Sequence, residues 1–235
     1  MRTGACGVQR VDPVAGVDPV NASVFPCPLC NAPTSLYCTD RRRVYHHCFV
    51  CGLVHVPREY HIATQAERAI YDLHQNDTHE PGYRRFLSRL AEPLLARLAP
   101  GSEGLDFGCG PAPALAAMLE DQGHRVALHD IYYHPAPERL EQQWDFITAT
   151  EVVEHLARPA CELDRLWQCL KPGGWLAIMT KRVRDQHAFQ SWHYKNDLTH
   201  ISFFSDQTFE WLAERWGAEL EIVGADVVML RKHAH

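Results

Sequence analysis

The chain contains no run of about 18 or more apolar residues, so no segment has the length a membrane-spanning helix needs. Met1 to Val24 lacks the basic, then apolar, then small-residue layout of a secretory leader. Its mixed Gly, Pro, Val and Asp composition reads as a disordered tail over residues 1–24, and the expected compartment is the cytoplasm. Positive charge is not in excess. The formal net charge of −6 argues against a surface built to wrap nucleic acid. A DNA partner is not expected, and RNA enters only through local patches. Arg41, Arg42 and Arg43 form one such patch, and Arg84, Arg85, Arg89 and Arg97 form a weaker one; a solvated face is the alternative role for each. Internal repeats and low-complexity tracts are absent.

What is present is enough apolar material, 46% of 235 residues, for one α/β domain of ordinary size with a small module attached. Nine cysteines without an export signal read as thiols or metal ligands rather than disulfides. Cys27-Pro-Leu-Cys30 and Cys48-Phe-Val-Cys51 are two CxxC knuckles. The chain between them suits a short hairpin, with strand-like stretches at Ser35–Thr39 and Val44–Cys48. Each knuckle presents two thiolates to one tetrahedral metal, so residues 25–57 are expected to form a four-cysteine zinc ribbon. A redox dithiol is the rival reading. A module this small buries too little apolar surface to fold alone, so the zinc is structural.

Residues 58–100 read as a helical linker or lid. One candidate helix is Ala63–His74. A second, Tyr83–Leu98, carries Phe86, Leu87, Leu90, Leu94, Leu95 and Leu98 on one stripe, with Pro93 inside it. Tyr71, His74, Asn76 and Tyr83 are lid candidates for the site; an ordinary helix connector is the alternative. From Glu103 strand and helix alternate: strands at Gly104–Phe107, Arg125–His129, Trp144–Thr150 and Trp175–Thr180, helices at Pro111–Gln122, Pro159–Leu170 and Phe209–Trp216. Glu219–Val223 and Val227–Arg231 form a closing hairpin. This order predicts a doubly wound α/β sheet over residues 101–235, mostly parallel, with an antiparallel C-terminal hairpin.

Leu105-Asp106-Phe107-Gly108-Cys109-Gly110-Pro111 runs from a strand through glycines towards a helix. Gly108 and Gly110 let backbone approach a ligand closely. Asp106 ends the strand, where a carboxylate can face an ammonium. The third glycine of a dinucleotide fingerprint is missing. Asp130 ends the next strand, where an acid commonly binds ribose hydroxyls. With these residues in view, LDFGCGPAPAL resembles motif I of class I S-adenosylmethionine (SAM)-dependent methyltransferases. WDFITATEVVEHL resembles their fourth-strand motif, with the Glu-His pair of ubiquinone-biosynthesis-type members. LKPGGWLAIMT resembles their fifth-strand motif. The resemblance covers residues 103–231. It implies a Rossmann-like fold and SAM as cofactor, with Asp106, Gly108 and Gly110 around the methionine part, Asp130 on the ribose, and Thr150 and Glu151 on the floor. One departure stands out. Ile131–Gln143 is too short for the family's usual helix and third strand, so these must be shortened or lost. Tyr132 and Tyr133 are then candidates to stack on the adenine or to pack on the sheet edge.

The segment after the fifth strand, Lys181 to Ser205, is the expected substrate loop because it leaves the ligand-binding edge of the sheet. WHYKNDLTHISFF within it resembles a block found at this point in sugar- and quinone-type methyltransferases. Methyl transfer asks an enzyme to hold the nucleophile close and dry, and to take a proton from a hydroxyl or weakly acidic carbon. His200 and His193 are the base candidates, with Tyr194 and Asp197 to orient them. His155 is a further catalytic candidate that could equally pack beneath the site. The ribbon resembles the zinc modules of certain ribosomal RNA guanine methyltransferases and of sugar C-methyltransferases. The expected function is methylation of a small-molecule or biosynthetic-intermediate acceptor at oxygen or carbon. The alternatives are an RNA methyltransferase that docks RNA on the ribbon, and a non-catalytic SAM-binding module.

Overall fold

The computed structural model describes residues 25–73 and 77–234. The expected tail at 1–24 and the lid candidates His74 and Asn76 lie outside the described residues. Two sheets organise the chain. The larger has six strands: β4 (Glu103–Phe107), β5 (Arg125–His129), β6 (Trp144–Thr150), β7 (Leu170–Met179), β9 (Glu219–Val223) and β10 (Val227–Arg231), in the order β5-β4-β6-β7-β10-β9. The first four run parallel, and β10 and β9 close the sheet antiparallel. This is the doubly wound α/β arrangement read from the strand and helix alternation. The third strand is indeed absent. A 3-10 turn at Pro137–Glu141 takes its place, and β5 is left as the edge.

The central strand β6 is buried over most of its length and carries apolar side chains on both faces, Phe146 on one and Ile147 and Ala149 on the other, as burial between two layers requires. Helix α2 (Pro81–Leu95) buries Leu87, Leu90, Ala91 and Leu94, spaced as one helical face, and packs against α3 (Ala114–Glu120) over Phe146, Trp175 and Met229. Pro93 sits inside α2 without ending it. Helix α4 (Pro159–Gln168) covers the opposite face. Helix α6 (Asp206–Trp216) starts three residues before the apolar pattern does, because Ser205 and Thr208 form a capping box, and it stops at the left-handed Gly217. The strand expected at Trp175 begins at Leu170 instead: the Lys171–Gly174 stretch stays in the sheet, tied to Lys232 through its backbone.

The smaller sheet contains β1 (Ser35–Thr39), β2 (Val44–His47) and β3 (Val54–His55), and its fourth strand is β8 (Ser202–Phe203), from the loop that follows β7. Val54 pairs with Phe203 and His55 with Ser202. Tyr45, Val54 and Val56 share one apolar cluster with Val183, Phe189, Tyr194, Ile201 and Phe203. Helices α1 (Thr64–Tyr71) and α5 (Gln186–Gln190) complete the structure.

Candidate functional site

A cavity of about 780 Å³ opens at the carboxyl ends of the parallel strands, the edge where open α/β sheets bind ligands. The residues that follow each strand line it: Gly108 to Ala112 after β4, Asp130 to Tyr133 after β5, Glu151 and Val152 after β6, and Lys181 after β7. Gly108 has φ +72°, and a Cβ there would meet Val152 Cγ2 at 2.5 Å, so only glycine fits this turn. Asp130 is buried and accepts from the amides of Gly110 (3.1 Å), Tyr132 (2.8 Å) and Tyr133 (3.0 Å). Its carboxylate thus sets the shape of both loops at the sheet edge. Asp106 does not line the cavity; it lies just under it, 3% exposed, accepting from Thr148 Oγ1 at 2.7 Å. Burial pushes its carboxyl up to about 7. Its charge reaches Tyr83 and Cys109, both on the cavity wall.

The floor is acidic and short of partners. Glu151 takes a left-handed conformation, φ +53°, unusual for a non-glycine residue. Its Oε1 and the Thr150 hydroxyl are buried without a hydrogen-bond partner among the described residues. The Tyr194 hydroxyl donates to Glu154 Oε1 and lies 3.2 Å from Glu151 Oε2. Thr180 donates to the other Glu154 oxygen at 3.0 Å. Burial, with the neighbouring Glu154 charge, raises Glu151 to about 8, and burial raises Glu154 to about 7. Burial and the two glutamates push the Tyr194 phenol well above its ordinary value. The resulting group is two carboxyls joined through one phenol.

The histidine loop closes the other side. His200 Nδ1 lies 2.7 Å from the Tyr194 carbonyl, and His155 Nδ1 lies 3.1 Å from the Thr199 carbonyl. A carbonyl only accepts, so both Nδ1 atoms carry a proton, and the neutral His200 ring keeps its lone pair on Nε2. Burial and the nearby His155 lower His200 to about 4, so it is neutral at physiological pH. The two rings meet edge to face at 4.7 Å. His200 Nε2 faces Asp197 Oδ2 at 3.9 Å. Glu154, His155 and His200 offer ligand atoms within 4.8 Å of one another, a set suited to a divalent cation. Ring tautomers fixed by backbone carbonyls are a common feature of metal-binding histidines. His193 stands apart at the exposed rim, its Nε2 3.2 Å from Lys181 Nζ.

Helix α1 roofs the cavity. Tyr132 donates to Glu67 at 2.7 Å, Tyr71 to Glu67 at 3.1 Å and Tyr133 to Asp72 at 2.7 Å. The two tyrosines after Asp130 thus line the cavity while their hydroxyls fasten the roof. Tyr83, from α2, is a further wall.

The four cysteines converge. Cys27 Sγ is 3.5 Å from Cys51 Sγ, Cys30 Sγ is 3.3 Å from Cys48 Sγ, and all four lie within 4.8 Å. Four thiolates at ~2.3 Å around zinc are ~3.8 Å apart, so the set fits that ion with little movement. Asn31 and Gly52, each following a knuckle, are left-handed, which turns the chain back towards the metal. At Gly52 a Cβ would strike Ser205 Oγ at 2.7 Å, so this knuckle lies directly on the start of α6.

Three groups escaped sequence reasoning. Glu154 was visible as half of the Glu-His pair, but its burial was not. Lys181 carried no motif. Arg43 was read as a surface patch with Arg41 and Arg42, yet it is 3% exposed and points inward to the loop.

A family model described as a methyltransferase domain matches residues 79–222. No match was found among curated proteins. Among solved structures, the chain is similar to the 1,6-didemethyltoxoflavin-N1-methyltransferase of Burkholderia thailandensis, crystallised with 1,6-didemethyltoxoflavin and S-adenosylhomocysteine (SAH). The TM-score is 0.50 at 17% identity, over 83% of this chain and 97% of that one. An O-methyltransferase family protein from the same organism aligns with TM-score 0.52 at 14% identity, over 75% of this chain and 62% of that one. A SAM-dependent methyltransferase from Archaeoglobus fulgidus aligns with TM-score 0.52 at 14% identity, over 63% and 94%. At these identities the structures share the fold. Among the described residues no helix is long and apolar enough to cross a membrane.

Proposed function

The chain belongs to the methyltransferase domain family, and from that premise we propose that it is a SAM-dependent methyltransferase whose acceptor is a small molecule, methylated at oxygen or carbon. One observation carries the reading: a single cavity is lined both by the glycine turn and Asp130 and by Glu151, Tyr194 and His200. Its volume suits a cofactor with a modest acceptor beside it. The fold-sharing toxoflavin enzyme holds such a pair, a small heteroaromatic acceptor with SAH.

SAM supplies a methyl group on a sulfonium, already activated for in-line attack. The protein's part is position and proton handling. Gly108 and Gly110 give close backbone approach, Asp130 offers acceptor oxygens to ribose hydroxyls, and Asp106 lends negative charge from below to an ammonium. The Thr150 hydroxyl and Glu151 Oε1 are buried without a partner among the described residues, and a small shift of this turn would bring them to a ligand. Across the cavity, neutral His200 presents its Nε2 lone pair to an acceptor hydroxyl or enol, with the His155 ring packed edge to face against it. Tyr194 orients them from beneath by tying Glu151, Glu154 and the His200 carbonyl contact together. A ring held near pKa 4 is a weak base, which suits an acceptor whose own proton is acidic. His193 is assigned to the cavity mouth with Lys181.

The carbonyl-fixed tautomers of His155 and His200 favour one addition. In place of the base role of the ring, a divalent cation held by Glu154, His155 and His200 would polarise the acceptor oxygen and ease loss of its proton. The ribbon arginines weigh against RNA docking there, since Arg43 is buried and Arg42 Nη2 donates to the Asn196 carbonyl at 3.0 Å.

The test is transfer of a labelled methyl group from SAM to a panel of phenols, enols and hydroxylated heterocycles, with RNA as a parallel acceptor. Labelling of a small molecule, insensitive to salt, supports the proposal. Salt-sensitive labelling of RNA replaces it with the RNA reading, and SAM binding with no transfer to any acceptor leaves a binding module.

A further inference from the structure

The ribbon contacts the loop carrying His200, Tyr194 and Asp197 more closely than a tethered accessory module would. Arg43, at the turn between β1 and β2, is buried, and its guanidinium spends its donors on that loop. Nη2 donates to the carbonyls of Lys195 (2.6 Å) and Asp197 (2.8 Å), and Nη1 to that of Leu198 (3.1 Å). Nε donates to the Tyr45 hydroxyl at 2.9 Å. Arg42 takes the remaining carbonyl, Asn196. Four consecutive loop carbonyls, 195 to 198, therefore accept from ribbon arginines. Their nearest neighbours, Tyr194 and Thr199, give their carbonyls to His200 and His155.

The clamp has a second jaw. Asp40 accepts from the Arg42 and Arg43 amides, the Tyr45 hydroxyl and the Lys195 ammonium, the last at 2.9 Å. Past the loop, β8 pairs with β3, and the Val56 amide donates to the Ile201 carbonyl at 2.9 Å. Residues 194–203 are thus tied to the ribbon, and the Ile201 amide in turn donates to the Glu154 carbonyl at 2.8 Å. The two CxxC knuckles hold β2 and β3 in place, so closure of the four-cysteine site sets the position of the clamp.

We infer that the zinc ribbon is the scaffold of the acceptor-side loop, with Arg43 as its positioning residue: metal binding at Cys27, Cys30, Cys48 and Cys51 orders the His200 and Tyr194 turn and leaves the glycine-turn half of the cavity alone. This rests on the reading of that loop as the acceptor side. A planar guanidinium is required, because it spreads donors over three carbonyls that a single ammonium does not span. A small module that needs metal to fold makes such a scaffold conditional on metal occupancy.

The test measures hydrogen exchange of the full-length zinc-loaded protein alongside SAH affinity. Arg43→Ala is expected to speed exchange of amides 195–201 at least tenfold, with β4 and β6 amides unchanged and SAH affinity within about threefold. Zinc content stays at one ion, and the cobalt-substituted ribbon keeps its thiolate spectrum. Arg43→Lys restores little of the protection, and Arg42→Ala has a smaller effect. Chelation of zinc produces the same split, a loosened loop with SAH still bound. Loop protection that survives Arg43→Ala or chelation overturns the proposal, as does loss of SAH affinity in parallel with the loop. Should Arg43→Ala fail to fold, Asp40→Asn carries the test with the same expected split and the same refutation. Failure of the wild-type protein to bind SAH counts against the methyltransferase reading rather than this coupling.

Discussion

Asp106 offers the sharpest electrostatic prediction. Its carboxyl is buried beneath the glycine turn and raised to about 7, against an ordinary value of about 4. Near pH 7 about half the ligand-free molecules therefore carry a proton there. A ligand with an ammonium above Asp106 favours the ionised form, so binding expels that proton. The worked expectation is release of about half a proton per SAH at pH 7, approaching one near pH 5.5 and almost none near pH 8.5. Affinity should rise close to tenfold per unit between about pH 5 and 6.5, then level off above about 7.5. Asp106→Asn removes this share of the release, flattens the profile, and weakens binding near pH 8 by roughly 10- to 100-fold, as for loss of a charge-assisted interaction of about 1.5–3 kcal/mol. Calorimetry in two buffers of different ionisation enthalpy reads the proton count directly. Glu151 can release a proton as well, so the decisive quantity is the difference between wild type and variant. Equal proton release from both at pH 7 refutes the argument.

Three further outcomes follow from the geometry. Glu151 and Glu154, raised to about 8 and about 7, hold protons in the folded state that the unfolded chain gives up above about 4.5. Their contribution to stability is full below that value and lost as pH rises through 7 to 8, so the melting temperature of the ligand-free protein should fall from pH 5.5 to 8.5, and Glu154→Gln should flatten the fall; a rise over that range contradicts it. Gly108→Ala puts a Cβ 2.5 Å from Val152 Cγ2 in a left-handed turn, and should cost about 1–3 kcal/mol in denaturant titration and at least tenfold in SAH affinity; an unchanged affinity removes the turn from the cofactor site. His155→Ala combined with His200→Ala should abolish Mn²⁺ binding seen by electron paramagnetic resonance and stop methyl transfer, with SAH affinity within about threefold; full transfer by the variant excludes both rings from the chemistry.

The fold was largely legible because its signals are local. The glycine turn, the apolar run of β6 and the closing hairpin each write their structure into adjacent residues. A shortened or lost third strand was readable from the length of Ile131–Gln143 set against the resembled family's usual helix and strand, and the cysteine spacing pointed to a convergence that the sulfur distances match. What stayed hidden is long-range. Strand β8 has two residues and no periodicity, and it exists because β3, far away in sequence, supplies its partner. Arg43 looked like one of three surface arginines, since nothing nearby announces that the carbonyls it serves lie more than 150 residues on. The raised pKa values of Glu151 and Glu154 come from burial and, for Glu151, from the Glu154 charge, which spacing does not encode. Tyr132 and Tyr133 show the same limit: two alternatives were open, and the hydroxyl partners come from α1.

The most direct test of the central claim is a calorimetric titration of SAM and SAH into the zinc-loaded full-length protein. One site per chain with affinity in the micromolar range is expected, tighter in wild type than in Asp106→Asn or Asp130→Ala. Absence of binding by the well-folded wild type would mean that loss of the third-strand region has removed the adenine pocket, leaving a methyltransferase fold that does not take the cofactor.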